Sequence, residues 1–187
     1  MSESSENETR TGDRAKASVT VKVGIDEAFR LFTEEIDQWW RRGLRYRVAG
    51  LRRGFLCIEP QVGGRLFESF EDELGDTRVI ETGRVRIWEP PLRMVLEWRN
   101  ANFALDERTE VEVCFEPAAS GTLVSVTHRG WSRLRPDHPA RHDLDPSAFV
   151  RATGLWWGEL LSALRTHVAS GTTKARVIHA QKYSAHS

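Results

Sequence analysis

The sequence predicts an α+β domain in which an antiparallel sheet of about six or seven strands is joined to a long, mostly buried C-terminal helix. Between Phe55 and Arg129, segments of alternating apolar and polar residues are separated by Gly, Pro, Asp or Ser. This spacing is typical of strands joined by hairpin turns. After Asp145, Pro146 opens a stretch to about Val168 in which apolar residues form a broad stripe. Proline suits the first position of a helix, and such a stripe predicts a helix that is largely buried.

A further strand and helix are predicted before the hairpins. Valines alternate with polar residues from Val19 to Val23, which is the period of a half-buried strand. Asp26 is suited to cap a helix that begins at Glu27. Apolar residues then recur at roughly helical spacing as far as Trp40. One strand is therefore expected to lead into one amphipathic helix.

Six separate strands are predicted in the hairpin region. Each is a run with a period of two that ends at turn residues. The runs cover residues 55–59, 65–70, 78–88, 94–99, 109–116 and 123–129. Because they follow one another at hairpin spacing, consecutive strands are expected to pair.

The predicted domain spans residues 17–170. Residues 1–16 carry almost no apolar side chains, so they cannot offset the entropy lost on ordering and are expected to be disordered. Residues 171–187 are again polar, without clear periodicity, and form a tail to which no function is assigned. With 187 residues and 40% hydrophobic content, the chain can bury one sizeable core.

Composition argues against several classes of partner. Lys and Arg total 27, as do Asp and Glu, so the basic excess that drives nucleic-acid binding is absent. No apolar run approaches the roughly twenty residues of a membrane span, so no membrane association is expected. Cys57 and Cys114 match no metal or redox spacing. Free thiols, a cytoplasmic location and no cofactor are therefore predicted.

Several local strings resemble one known superfamily. They are FRLFTEEIDQWW (29–40), GGRLFESF (63–70), GRVRIWEPPLRMVLEW (83–98), GTLVSVTHRGW (121–131) and GLWWGELLSAL (154–164). In this order they resemble the START-like helix-grip (SRPBCC) superfamily, in the branch related to activators of the heat-shock-protein ATPase. The resemblance covers roughly residues 18–170. It implies a sheet curved around the long C-terminal helix, with a hydrophobic cavity between them, and does not imply one reaction.

Hairpin geometry also predicts the strand register. If the hairpins have even-numbered loops, one rung across the sheet reads Leu66, Gly83, Trp98, Val111 and His128. A glycine opposite a tryptophan leaves room for the indole ring. The same register turns a mainly apolar set of residues to the inner face: Val79, Val85, Met94, Val113, Phe115, Val124 and Val126.

Three polar residues stand out on this predicted inner face. Glu68 is expected opposite Glu81, and His128 lies on the same face. Opposed carboxylates perturb each other's proton affinity, so one reading is acid–base chemistry by these three groups. The alternative is that the carboxylates pair with Arg65 or Arg84 or lie exposed, and that His128 is a hydrogen-bonded core residue or lines a ligand.

Tryptophan is abundant, and about half of the indoles are expected to line the cavity rather than to fill the core. Leu160 and Val111 are also expected to line the cavity, because helical and strand spacing turn them inward. The predicted ligand-binding residues are Trp39, Trp40, Glu68, Glu81, Trp98, Val111, His128, Trp131, Trp156 and Leu160. No catalytic residue is assigned.

Two further segments contain residue types that can bind an anion or a metal. Residues 41–53 are rich in arginine, which suits an anionic head group or an acidic protein partner, although a solvated loop is the simpler interpretation. Asp137, His138, His142 and Asp143 have a spacing that could bind a metal on a helix. Proline interrupts that segment, so no metal is predicted.

Three functions follow from these patterns. The first is a domain that binds a small hydrophobic or amphipathic molecule between the sheet and the C-terminal helix. The second, which the family resemblance implies, is a co-chaperone-like or stress-response interaction protein. The third is a cyclase or hydrolase with Glu68, Glu81 and His128 as its acid–base groups. A monomer or a homodimer is expected, because an edge strand is open to pairing.

Overall fold

The computed structural model describes residues 13–99, 102–135 and 137–184, with side chains described as far as residue 171. The disorder predicted for residues 1–16 falls mostly outside these ranges. For residues 14–16, which the structure describes, the prediction of disorder is wrong, because the first strand already begins at Arg14. Its backbone pairs along its whole length with the last strand, which offsets the entropy of ordering a polar segment.

The chain folds into strands and helices in the predicted order. The strands are β1 (Arg14–Val21), β2 (Gly54–Ile58), β3 (Arg65–Glu71), β4 (Thr77–Glu89), β5 (Arg93–Trp98), β6 (Thr109–Ala118) and β7 (Gly121–Arg129). The helices are α1 (Ile25–Glu34), α2 (Ile36–Trp39) and α3 (Pro146–Ser184). Short 3₁₀ turns at Trp131–Arg133 and Pro139–Arg141 connect β7 to α3. The last helix thus continues beyond its predicted end near Val168.

The seven strands form one antiparallel sheet in the order β1-β7-β6-β5-β4-β3-β2. This curled sheet and the long helix α3 form the predicted α+β helix-grip fold. Apolar residues of the inner sheet face, of α1 and α2 and of α3 share one core. A second, smaller cluster of Phe103, Trp131, Leu134, Ala140 and Phe149 lies where the chain enters α3. Among the described residues, no helix is long and apolar enough to cross a membrane.

The first helical segment differs from the prediction in two ways. Helix α1 begins at Ile25 with Gly24 as its cap, so Asp26 lies within the first turn and makes no capping bond. The helix then breaks at Glu35, and α2 follows as a separate short turn. The helical spacing of the apolar residues survives this break, since Phe32, Ile36 and Trp39 are all buried.

The predicted register holds in the centre of the sheet. Leu66 pairs with Gly83, Gly83 with Trp98, and Val111 with His128. The structure gives a further reason for the glycine. A Cβ on Gly83 would lie 3.0 Å from the carbonyl oxygen of Glu97 and 3.4 Å from the Cβ of Leu66. The close approach of the neighbouring backbone therefore also favours glycine here.

Besides a shift between Val85 and Ile87 near the turn to β5, two parts of the register differ. A bulge between Leu66 and Phe67 leaves Thr82 as the extra residue, so Phe67 rather than Glu68 lies opposite Glu81. On the other side of the sheet, Trp98 pairs with Thr109 instead of Val111. The partner of Trp98 is thus shifted by two residues. Because this number is even, the pairs change but the same side chains stay on the inner face. At the bulge, by contrast, one residue is inserted, so the side chains of β4 beyond it point to the face opposite to the predicted one.

Of the seven apolar residues predicted for the inner face, six are buried and one is exposed. Val85, Met94, Val113, Phe115, Val124 and Val126 are buried. Val79 lies beyond the bulge and is 51% exposed.

Candidate functional site

A cavity of about 590 Å³ lies between the sheet and the first half of α3. Its volume falls within the roughly 300–1,000 Å³ typical of small-molecule sites. Four tryptophans form its walls: Trp40, Trp98, Trp131 and Trp156. We refer to it as the indole cavity. Leu44, Leu56, Leu66 and Phe149 add apolar surface.

Three of the four indoles of the wall contact one another. Trp40 stacks on Trp98 with ring centroids 6.2 Å apart, and Trp156 meets Trp40 edge to face at 5.8 Å. Two of the N–H groups are used within the protein, since Trp40 donates to the carbonyl of Tyr46 and Trp156 to that of Arg45. These bonds fix the orientation of the rings, so the wall is preorganised.

Three apolar residues predicted to line the cavity lie in the core instead. Trp39 is buried in the core, where its N–H donates to the carbonyl of Phe32. Val111 and Leu160 are fully buried core residues and are not part of the cavity wall. The even slip in register accounts for Val111, because Thr109 takes its place beside Trp98.

His128 lies in the cavity wall and is hydrogen-bonded at both ring nitrogens. Nδ1 accepts from the indole N–H of Trp157 at 3.2 Å, and Nε2 lies 2.8 Å from Oγ1 of Thr109. An indole can only donate, so the imidazole must carry its proton on Nε2. Burial lowers the pKa of His128 to about 3. The ring is therefore neutral, and both its nitrogens are occupied.

Glu68 is buried on the inner face, as predicted, but its partners are backbone groups. Its two carboxylate oxygens accept from the N–H groups of Val48 and Ala49 at 2.8 and 2.9 Å. Hydrogen bonds to a carboxylate are strong and offset the cost of burying it. Glu68 thereby holds the segment before β2 against the sheet, next to the cavity.

Glu81 does not reach the cavity, which corrects the predicted pair of carboxylates. Because Thr82 is inserted at the bulge, Glu81 lies exposed on the outer face and pairs with Arg84. Thr82 is buried and contributes to the cavity wall in its place. The glycine that follows Thr82 was the available signal, since glycine inside a strand often marks a bulge.

The arginine-rich segment 41–53 covers one side of the cavity. Arg47 is buried and donates to a carboxylate oxygen of Asp37 at 2.5 Å and to three backbone carbonyls. Arg41 and Arg45 both form ion pairs with Glu159 of α3, at 3.6 and 3.2 Å. Four of the six arginines of this segment therefore meet a carboxylate, and the four share two carboxylates, those of Asp37 and Glu159.

Tyr46 and Glu159 were not predicted and join this segment to the helix. The hydroxyl of Tyr46 donates to Glu159, and this bond together with Arg45 and Arg41 lowers the pKa of that carboxyl. The contact bridges 113 positions of the chain, so no local pattern in the sequence could have revealed it.

The histidines before α3 do not form a metal site. His138 is buried, with Nε2 2.8 Å from Glu107 and Nδ1 accepting from the N–H of Ala140. His142 is exposed and lies in the left-handed backbone region with φ of 49°. Within the described ranges, no group of three or more acidic, histidine or cysteine side chains could hold a metal ion.

A curled antiparallel sheet that encloses a cavity against its C-terminal helix defines the class of helix-grip proteins. Residues 22–152 match the family described as Activator of Hsp90 ATPase homolog 1-like protein. This match covers more than half of the chain, and the protein belongs to that family. No curated protein matches the chain.

Solved structures support the same fold. A protein of unknown function from Staphylococcus aureus is similar with a TM-score of 0.60 at 13% identity, covering 86% of this chain and 95% of that one. A protein from Nitrosomonas europaea has a TM-score of 0.57 at 14% identity, with 86% and 97% covered. One from Rhodobacter sphaeroides has a TM-score of 0.57 at 18% identity, with 85% and 93% covered. At these identities the likeness concerns the fold alone.

Proposed function

We propose that the protein binds a small hydrophobic or amphipathic molecule in the indole cavity. The observation that carries this proposal is the cavity itself, a space of about 590 Å³ walled by four tryptophans. Burial of apolar ligand surface contributes about 25 cal/mol per Å². Since Trp40 and Trp156 are already held by hydrogen bonds, little ordering of these two rings would be required on binding.

The polar groups of the wall support a ligand with an apolar body. Glu68 and His128 both use their polar atoms for bonds within the protein. A ligand that competed for these atoms would have to break existing bonds. The free surface that remains around them is largely indole and aliphatic carbon.

Of the three residues predicted for acid–base chemistry, one lies outside the cavity. Glu81 is exposed outside the cavity, and His128 has no nitrogen available to a substrate. Glu68 is the remaining member, and both its oxygens accept backbone N–H groups. The predicted set of three therefore does not converge on one point in space.

The interaction alternative rests on segment 41–53, where Leu44 and Leu51 are 84% and 85% exposed. Exposed leucines beside arginines suit an acidic protein partner. Four of the six arginines already meet a carboxylate within the protein, so this is the weaker candidate. Its test is the ATPase rate of purified Hsp90 with the protein and with the variant Leu51→Asp. An effect of the wild type that the variant loses would support it, and no effect would reject it.

The cavity proposal is tested with Nile red, a neutral dye that fluoresces in apolar surroundings. Trp156 is partly exposed at the rim of the cavity, so Trp156→Ala is expected to weaken dye binding with little loss of stability. Trp88→Ala is the matched control, because Trp88 is also half-buried but packs against Phe29 outside the cavity. If dye affinity changes equally in both variants, or if the wild type does not bind the dye, the proposal is wrong.

A further inference from the structure

Two buried nitrogen atoms lack a hydrogen-bond partner in the part of the chain that the structure describes. They are Nε1 of Trp131 and Nε of Arg141. Both residues are more than nine-tenths buried, and both atoms are N–H donors. Buried donors are nearly always paired in native proteins, so each unpaired one needs an explanation. What is missing at this place is an acceptor.

Trp131 belongs to the wall of the cavity, and Arg141 lies behind it. Trp131 is itself a lining residue, and its carbonyl accepts from Nη2 of Arg141 at 2.6 Å. The same Nη2 lies 3.2 Å from the carbonyl of Leu134. No carboxylate of the described chain pairs with Arg141, so its charge is buried behind Trp131 and Phe149 without an anion. A buried cation of this kind favours negative charge nearby.

A second cation belongs to the cavity wall. Arg99 lines the wall, and its guanidinium makes one described bond, from Nη2 to the carbonyl of Ala104 at 3.0 Å. The other arginines of the wall differ, since Arg45 pairs with Glu159 and Arg47 with Asp37. Among the described residues, Arg99 is therefore the arginine of the wall that meets no carboxylate.

Contacts through one loop connect Arg99 to the wall that holds Arg141. The N–H of Ala104 donates to Glu107, which also bonds His138. The carbonyl of His138 accepts from the N–H of Arg141. Glu107 is the carboxylate of this region, and its oxygen is engaged by those two groups. Arg99 thus brings a positive charge to the wall of the cavity, and a second, buried cation, Arg141, lies behind Trp131.

From these donors we infer that the molecule bound in the indole cavity is an amphipathic carboxylate, with its apolar body among the tryptophans and its head towards Arg99 and Trp131. This inference rests on the proposed function and narrows its ligand class. A guanidinium binds a planar carboxylate with two parallel hydrogen bonds. The unpaired N–H of Trp131 supplies a further donor, and the charge of Arg141 stabilises the anion from behind.

The test compares decanoate with decanol, which share an apolar chain and differ in the charge of the head. Binding of each is measured by displacement of Nile red and by calorimetry. The wild type is expected to bind decanoate more tightly. Arg99→Gln is expected to weaken decanoate by about tenfold and decanol by less than twofold, because only the carboxylate uses a charge-assisted bond. Arg99→Lys keeps the charge and should retain part of the preference.

Two controls separate this inference from the proposal beneath it. Arg86→Gln changes an arginine on the outer face, paired with Glu97, and should leave both affinities unchanged. Trp131→Phe removes the unpaired donor and should weaken decanoate about fivefold, whereas Trp156→Phe should affect both ligands alike. Equal binding of decanoate and decanol, unaltered by Arg99→Gln, would overturn the inference and leave cavity binding intact. Failure of both ligands and of Nile red to bind would overturn both proposals.

Discussion

Trp157 of α3 donates its indole N–H to Nδ1 of His128 on β7 across 3.2 Å. This bond joins the C-terminal helix to the sheet inside the core. It also requires the proton of the imidazole to lie on Nε2, from which it is donated to Thr109. The hydroxyl of Thr109 is in turn directed at the carbonyl of Trp98, at 3.4 Å. One chain of hydrogen bonds therefore connects α3 with β7, β6 and β5.

The neutral state of His128 makes stability depend on pH. Burial lowers the pKa of His128 from its ordinary 6.5 to about 3. Between these values the unfolded chain binds a proton that the folded chain does not, so the stabilising contribution is complete above pH 6.5 and is lost as pH falls towards 3. We expect the free energy of unfolding of the wild type to fall by about 1.4 kcal/mol per pH unit more steeply than that of His128→Gln.

Urea unfolding at a series of pH values measures this difference. Thr109→Val is the control, because it removes the partner of Nε2 and keeps the imidazole. It should lower stability at every pH while it retains the steeper slope of the wild type. Parallel slopes for the wild type and His128→Gln would show that His128 does not titrate in this way.

The tryptophans of the core and of the cavity should respond differently to loss of the indole N–H. Trp157→Phe leaves Nδ1 of buried His128 without its donor, which costs about 1–3 kcal/mol in addition to lost packing. Trp131→Phe removes an N–H that has no described partner, so it costs packing alone. In ligand-free protein we expect Trp157→Phe to be the more destabilising by at least about 1 kcal/mol, measured by urea unfolding. The reverse order would mean that the N–H of Trp131 is satisfied.

Most of the fold follows from periodicity in the sequence. Alternation located the hairpin strands, and hairpin spacing paired Gly83 with Trp98 and Val111 with His128. These patterns work because one face of the sheet is buried and its register is strongly specified. The family resemblance then supplied the curvature of the sheet and the expectation of a cavity.

The site could be predicted less well, for two physical reasons. A single inserted residue at Thr82 turns Glu81 outward, and a bulge leaves only a weak signal in the sequence. The remaining features depend on long-range contacts. Arg45 meets Glu159 and Trp131 meets Arg141 only after the chain has folded, so neither the paired nor the unpaired cations could be identified from their neighbours in sequence.

Glu68 and Glu81 provide a matched pair for stability. Glu68→Gln replaces a carboxylate that accepts two backbone N–H groups with an amide that has one acceptor oxygen, and should cost about 1–3 kcal/mol. Glu81→Gln alters an exposed ion pair and should cost less than about 1 kcal/mol. Urea unfolding at neutral pH compares the two. Equal losses would contradict the structural role of Glu68, and a larger loss in Glu81→Gln would contradict the bulge.

Glu159 is expected to control how quickly ligands enter the indole cavity. It accepts from Tyr46 and pairs with Arg41 and Arg45, so it holds the segment that covers one side of the cavity against α3. Glu159→Gln weakens these contacts without changing the cavity wall, and should raise the association and dissociation rates of Nile red together by several-fold, leaving its affinity nearly unchanged. Stopped-flow fluorescence measures both rates, with Glu81→Gln as the control. Unchanged rates in Glu159→Gln would mean that ligands enter without movement of this segment.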